Sequence, residues 1–376
     1  MILPGATLGM LGGGQLGRMF TLCAREMGYK VLVLDPDPDS PAGRAADLHL
    51  QRPYTDPGAI ERMIQHCSAV TTEFENVPAD VLEVLAVRLP VRPGAKAVAA
   101  AQDRITEKTF LQKHGFRTVA FHPLTTPADV ETGTAAVAGP WILKTARLGY
   151  DGKGQARVAS AAAALAAFEA AGGVPCILAQ QVSLDLEVSV VLARGDDGRT
   201  QVFPAGENVH RHGILETTTV PARLPGQLAS DAAEIAVGVA DALEYVGVLG
   251  VEMFLSEGKL LVNEIAPRPH NSGHWTQDAA ASSQFEQQVR ALCGLPLGDP
   301  RVLTPVTMIN ILGDVWDGGE PDWGAALADA GVKLHLYAKS QPRPGRKMGH
   351  LNVLGGNAAE TLRRAHRALQ VLRRGR

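Results

Sequence analysis

The sequence predicts a soluble protein of mixed α/β and α+β class, opening with a helix-covered parallel sheet. Three observations carry that prediction. Short apolar runs alternate with helix-period segments over residues 7–91. A glycine-rich loop, Gly12-Gly13-Gly14-Gln15-Leu16-Gly17, joins the first run to the first helical segment. A length of 376 residues with 45% hydrophobic and 20% charged side chains supplies cores for two or three domains.

Each element follows from local signals. Residues 7–11 form an apolar strand, and Leu16, Met19, Phe20 and Cys23 space a helix over 16–27 that Gly28 closes. Residues 30–34 read as a β-branched strand ending at Asp35, and 69–72 and 90–91 as strands around a helix over 79–87. From Gln102 the pattern changes. A helix over 103–114 precedes a strand at 141–144 and a glycine loop at 149–155. An alanine-rich helix over 160–171, capped by Ser160, and strands at 176–181 and 187–193 read as a small α+β subdomain. A helix over 230–245 carries Ile235, Val239 and Leu243 on one stripe, and a hairpin turns at Glu257-Gly258. Residues from 304 onward read as a β-rich region with a terminal helix.

Composition excludes several classes of function. A formal charge of −3 gives no global pull toward nucleic acid or an anionic membrane. No stretch of about 18 apolar residues is present to span a bilayer, and Gly12-Gly13-Gly14 breaks the opening run before it resembles a secretion signal. Cys23, Cys67, Cys176 and Cys293 have no metal-type spacing, so neither a disulfide scaffold nor structural zinc is expected. The expected compartment is a reducing cytoplasm.

Three motifs carry chemistry. The first loop fits G-x-G-x-x-G between a strand and a helix, with Asp35 18 residues beyond Gly17. That layout places amides and a helix N-terminus before a phosphate and leaves the phosphate's identity open. The second motif is Lys144 at a strand end, followed by Gly149-Tyr150-Asp151-Gly152-Lys153-Gly154-Gln155. Two cations and exposed amides near one point suit a polyphosphate, although Lys153 is followed by Gly154 and not by the Ser or Thr of a Walker A loop. The third is the hairpin Gly250-Val251-Glu252-Met253-Phe254 with Leu260-Leu261-Val262-Asn263-Glu264-Ile265. A tight turn sets Glu252 level with Asn263 or Glu264, and an oxygen-only cluster of that kind suits Mg²⁺ shared with substrate phosphates.

The order and wording of these motifs resemble the ATP-grasp superfamily, and within it the N5-carboxyaminoimidazole ribonucleotide synthase family. The matching blocks include Gly14-Gln15-Leu16-Gly17-Arg18-Met19, Glu73-Phe74-Glu75-Asn76, Gln102-Asp103-Arg104, the 149–155 loop, the segment from Asn263 to Thr276, and Pro344-Gly345-Arg346-Lys347-Met348-Gly349-His350. They span residues 12–350. The resemblance implies a Rossmann-like unit over 1–102, an ATP-grasp unit over 103–303 with a lid at about 115–185, and a small carboxy-terminal unit over 304–376.

By the same resemblance, Arg104, Lys144 and the loop Gly149-Tyr150-Asp151-Gly152-Lys153-Gly154-Gln155 are expected to hold ATP phosphates. Glu187 is expected on the ribose, His210 and Asn263 at the nucleotide, and Glu252 and Glu264 on magnesium. The adenine segment reads Ala179-Gln180-Gln181-Val182, with alanine where the family usually has an acid, so backbone groups are left to read the base. Gly14, Gln15, Leu16, Glu73 and Asn76, with Lys339, Arg346 and Lys347, are expected around the ribonucleotide and its 5′-phosphate. Tyr150, Asp151, Arg268, His270 and Asn271 are expected to border the imidazole and bicarbonate pockets, with Asp151 orienting or deprotonating the amine. The implied reaction is ATP- and bicarbonate-dependent carboxylation of aminoimidazole ribonucleotide by a homodimer. The readings it displaces are a formate-dependent glycinamide ribonucleotide transformylase, a nicotinamide dehydrogenase built on the first loop, and a binding protein without turnover.

Overall fold

The computed structural model describes residues 1–149 and 152–373. Among these residues the strands form three sheets. The first is parallel, with Thr7–Leu11 between Lys30–Leu34 and Ala69–Thr72 and with Leu48–Leu50 at one edge. Helices such as Gln15–Glu26 and Pro57–His66 connect its strands. Burial on both faces explains why Val31, Leu32, Val33 and Leu34 form an unbroken apolar run, each fully buried. The strand expected at 90–91 shrinks to a single bridge between Val70 and Val91, because Pro90 has no N–H to continue a ladder.

The second sheet is a small antiparallel one in the order Phe121–Leu124, Cys176–Gln180, Trp141–Thr145, Gln155–Val158. Phe168 and Ala164 of the helix Ala161–Ala170 pack on Leu143 and Leu178. Ser160 caps that helix by accepting the Ala163 N–H at 3.2 Å, as the sequence predicts.

The third sheet runs Lys259–Ala266, Gly247–Ser256, Leu186–Arg194, Gly206–Arg211, Ile214–Val220, Val306–Leu312, Lys347–Leu354, Val332–Leu336. The run expected in the small subdomain at 187–193 lies here as Leu186–Arg194, between Gly247–Ser256 and Gly206–Arg211. Alternating apolar residues specify a strand but not the sheet that receives it. The strands beyond residue 304 extend this same sheet, through Val306–Leu312 beside Ile214–Val220.

The helix expected over 230–245 is Gly226–Ala242. Its buried face is Ala232, Ala236, Val239 and Ala240, packed on Val188, Val190, Leu249 and Val251 of the sheet. Small side chains there let the helix lie close to the hairpin that carries the site. No described helix is long and apolar enough to cross a membrane. Ala236→Leu should cost about 1–3 kcal/mol by overpacking this contact, measured as a lowered midpoint of guanidinium unfolding.

Candidate active site

The parallel sheet, the small sheet and the hairpin edge of the large sheet enclose a cleft of about 980 Å³. Most of the expected site residues line it. Gly14, Gln15, Leu16, Glu73 and Asn76 come from the first unit, and Lys144, Gly149, Gly152, Lys153, Gly154 and Gln155 from the small sheet and its loop. Arg104, Glu187, His210, Glu252, Asn263, Glu264, Arg268, His270, Asn271 and Lys347 complete the wall.

The hairpin resolves the register left open by the sequence. Met253 faces Val262, but after a one-residue slip Glu252 faces Glu264, so Asn263 is the extra residue of a bulge. The bulge brings both carboxylates to one point. Glu252, Glu264 and His270 each offer a ligand atom within 4.8 Å of the others. Burial and the neighbouring Glu264 charge push the Glu252 carboxyl up to about 7. Burial also disfavours charge on Glu264, but Arg104, 3.2 Å away, and Lys144 hold it down to about 2. Asn263 Oδ1 is buried without a partner among the described residues. Two acids and an unsatisfied amide oxygen fit a hard divalent cation.

His270 stands beside these acids as a neutral imidazole, pulled down to about 3 by burial and by Arg268. Its Nδ1 faces the Ser272 hydroxyl at 2.7 Å and the Ser272 N–H at 3.3 Å. Because a backbone N–H only donates, Nδ1 is the acceptor and Nε2 carries the proton, aimed at Glu252 at 3.5 Å. Ser189 extends the chain by donating to Ser272 at 2.7 Å.

Cations face the acids from the small sheet and from the helix Arg104–Lys113. Arg104 donates to Glu264 Oε2 and, at 3.1 Å, to the Gly149 carbonyl, which ties the glycine loop to the hairpin. Burial and the nearby Arg104 lower the Lys144 ammonium, and no hydrogen-bond partner fills its head among the described residues. The loop also meets the large sheet. A Cβ on Gly152, at φ +78°, would lie 2.9 Å from the His212 carbonyl, so glycine is required there. Tyr150 and Asp151 lie outside the described residues. Glu187, expected on the ribose, and His210, expected at the nucleotide, pair at 2.5 Å; burial opposes charge on the imidazole, but Glu187 and Glu252 raise it overall.

The first glycine loop departs from the dinucleotide layout. Three of its glycine amides are taken by acids of this chain. Gly13 N–H donates to Asp35 Oδ2 at 2.7 Å, and Gly14 and Gly17 N–H donate to Glu73 at 2.5 and 2.7 Å. Glu73, 9% exposed, therefore acts as an internal cap on the helix N-terminus, and Asp35, also held by Tyr54, is not presented to a ribose. The dinucleotide layout fails for that reason. What the loop does present is Gln15, whose Oε1 meets Lys339 Nζ at 2.5 Å across the two ends of the chain.

Other expected residues stand apart. Ala179 is buried beneath the small sheet with Val119 and Ile177, and the N–H groups of Gln180 and Gln181 donate to Ala120 and Pro140, which leaves Val182 as the segment's amide donor candidate. Ala179, Gln180, Gln181, Val182, Lys339 and Arg346 do not form the cleft wall, and Arg346 donates to the Gln341 carbonyl. Asn271 lines the cleft but exchanges hydrogen bonds with Asn310 at 2.8 and 3.1 Å, which fixes its turn.

Three contributors were not singled out from sequence. Glu75 holds Arg268 at 2.7 Å across the unit boundary. Glu107 and Lys108 are buried beneath Glu264, with burial pushing them to about 7 and about 8 respectively. A repeat of charged residues three and four apart after Arg104 is their one sequence signal.

A divalent cation must displace the Glu252 proton, so cation affinity falls as the pH drops through about 7. Mn²⁺ titration calorimetry should give binding about tenfold weaker at pH 6 than at pH 8, with proton release at the lower pH detected in buffers of different ionisation enthalpy. Equal affinities at the two pH values would contradict a proton held on Glu252 near neutrality.

Comparison with known proteins gives a consistent family. The ribonucleotide synthetase preATP-grasp domain matches residues 5–102, the ATP-grasp domain 109–285, and the phosphoribosylaminoimidazole carboxylase C-terminal domain 306–364. The chain is 42% identical to an N5-carboxyaminoimidazole ribonucleotide synthase of Bacillus subtilis over 94% of this chain and 93% of that one. It is 43% identical to one of Brucella melitensis, over 93% and 96%. A crystal structure of an N5-carboxyaminoimidazole ribonucleotide synthetase with ADP superposes at TM-score 0.94, with 41% identity and coverage of 99% and 98%. An Aspergillus clavatus N5-carboxyaminoimidazole synthase, solved with ADP and 5-aminoimidazole ribonucleotide, superposes at 0.88 with 31% identity over 98% and 99%. With its three-sheet fold and paired hairpin acids, the chain belongs to the N5-carboxyaminoimidazole ribonucleotide synthase family of the ATP-grasp superfamily.

Proposed function

We propose that the protein is a ligase that couples ATP cleavage to carboxylation of 5-aminoimidazole ribonucleotide. Bicarbonate supplies the carbon, and the products are N5-carboxyaminoimidazole ribonucleotide, ADP and phosphate, in purine biosynthesis. The observation that carries this reading is the opposed pair Glu252 and Glu264, flanked by Arg104 and Lys144, in one cleft with Gln15, whose side chain Lys339 holds.

In this reading Lys144, Arg104 and Lys153 bind the ATP phosphates from one side. Glu252, Glu264 and Asn263 hold magnesium, which when bound neutralises developing charge on the transferring phosphoryl group. A bicarbonate oxygen forms a bond to the γ-phosphorus while the bond to the β-bridging oxygen breaks, giving carboxyphosphate and ADP. The exocyclic amine then bonds to the carboxyl carbon, either directly or to CO₂ released in the closed site, and phosphate leaves. Asp151 takes the amine proton. Arg268, oriented by Glu75, faces the anionic reactants, and the Nε2–H of His270 steadies Glu252 beside them. The glycine loop docked on His212 excludes water from intermediates that hydrolysis would destroy. Glu187 with His210 takes the ribose, and the Val182 amide takes the adenine edge.

Gln15, Leu16, Asn76, Lys339 and Lys347 receive the ribonucleotide, with Arg346 as a more distant counter-charge and Glu73 shaping the loop. The functional units are 1–102, 103–303 with its lid, and 304–376. We further take the assembly to be a homodimer, the commonest soluble form. A cytoplasmic location agrees with cysteines that are all free among the described residues.

ADP release should require bicarbonate with aminoimidazole ribonucleotide, and formate with glycinamide ribonucleotide should give none. Activity only with the latter pair would overturn the acceptor. Lys144→Ala should weaken ATP binding while leaving ribonucleotide affinity nearly intact, read by titration of each ligand. Glu264→Gln should reduce magnesium-dependent turnover by about 10²-fold or more.

A further inference from the structure

Helix Arg104–Lys113 lies along the strand Lys259–Ala266, the outer edge of the large sheet. An edge strand has outward backbone groups that need partners, and the bulge at Asn263 disturbs them further. The helix and the chain after it supply those partners. Arg117 carbonyl accepts the Val262 N–H at 2.7 Å. Lys108 Nζ donates to the Asn263 carbonyl at 3.2 Å, and Glu107 Oε1 accepts the Ile265 N–H at 2.6 Å. Glu264 sits between the last two contacts. Arg104, three and four residues earlier on the same helix, reaches the Glu264 carboxylate itself.

Glu107 and Lys108 are 2% and 1% exposed; Glu107 touches the cleft only from beneath its floor, and Lys108 does not line it. An adjacent buried acid and base are costly to bury, and this pair spends its hydrogen bonds on the two peptide groups flanking one residue. We infer that Glu107 and Lys108 are positioning residues, a two-sided backbone clamp that holds the Asn263 bulge so that Glu264 faces Glu252. The inference rests on the assignment of Glu264 as a cation ligand made above. Groups that orient a ligand in this way typically tune cation affinity about 10- to 100-fold without touching the ion.

The test is Mn²⁺ binding to the full chain with ADP, read by electron paramagnetic resonance. Glu264→Gln comes first: if it leaves Mn²⁺ binding unchanged, the cation assignment fails, and the clamp with it. If it abolishes binding, the clamp is tested on its own. Glu107→Gln keeps an acceptor oxygen for the Ile265 N–H and should retain affinity. Glu107→Met and Lys108→Met remove the contacts and should each weaken Mn²⁺ by about tenfold or more, with ribonucleotide affinity unchanged. The double variant Glu107→Met/Lys108→Met removes both buried charges together, avoiding an uncompensated one, and should show the same loss. Wild-type Mn²⁺ affinity in the folded methionine variants, or equal damage in Glu107→Gln and Glu107→Met, overturns the clamp. In the unmodified chain the Ile265 amide should exchange slowly with deuterium before any ligand is added, and exchange as fast as an exposed strand edge also overturns it.

Discussion

Two carboxylates that face each other in a half-enclosed cleft repel unless positive charge stands close by, and the site is organised around that constraint. The bulge at Asn263 creates the problem by setting Glu252 against Glu264. Its effect is asymmetric. Arg104 keeps Glu264 ionised, while Glu252 retains its proton near neutrality because burial and its partner disfavour a second charge. The pair is therefore poised to exchange a proton for a cation. Lys144, close to both and with no hydrogen-bond partner among the described residues, is the positive charge that the proposed function assigns to a phosphate.

The same region joins the parts of the chain. Gln102 donates to the carbonyls of Glu75 and Val77 in the first unit and accepts from Arg147, two residues before the glycine loop. Two residues later Arg104 binds both the loop and the hairpin, and Arg268 returns across the boundary to Glu75. Charge-assisted contacts of this kind are short and directional. They tie the first unit, the glycine loop and the hairpin acids together at the start of one helix, so the positions of all three depend on the same few side chains.

The amino-terminal loop shows how a motif can mislead about chemistry while being right about shape. Its glycines do permit the tight strand-to-helix turn, and a Cβ at Gly12 would strike Glu73 at 2.3 Å. Yet Glu73 and Asp35 occupy the amides that a dinucleotide phosphate would need. Both acids arrive from other strands of the sheet, at separations of 22 and 56–59 residues. A carboxylate already on a helix N-terminus repels the phosphate that the bare motif would attract.

Local signals determined many of the elements: strands 7–11, 30–34 and 69–72, the Ser160 cap and the hairpin turn are legible because propensity, periodicity and capping act over a few residues. The motif wording also carried the family and, through it, most residues of the cleft wall. Tertiary structure alone decided which sheet received Leu186–Arg194, that Glu264 and not Asn263 opposes Glu252, and that Ala179 turns into the core. It also decided the buried pair Glu107–Lys108, unremarkable as two charges on a helix until an edge strand lies over them. The division has one physical cause. Backbone preference is set by near neighbours, whereas a charge takes its meaning from whatever distant segment packing brings within about 4 Å of it.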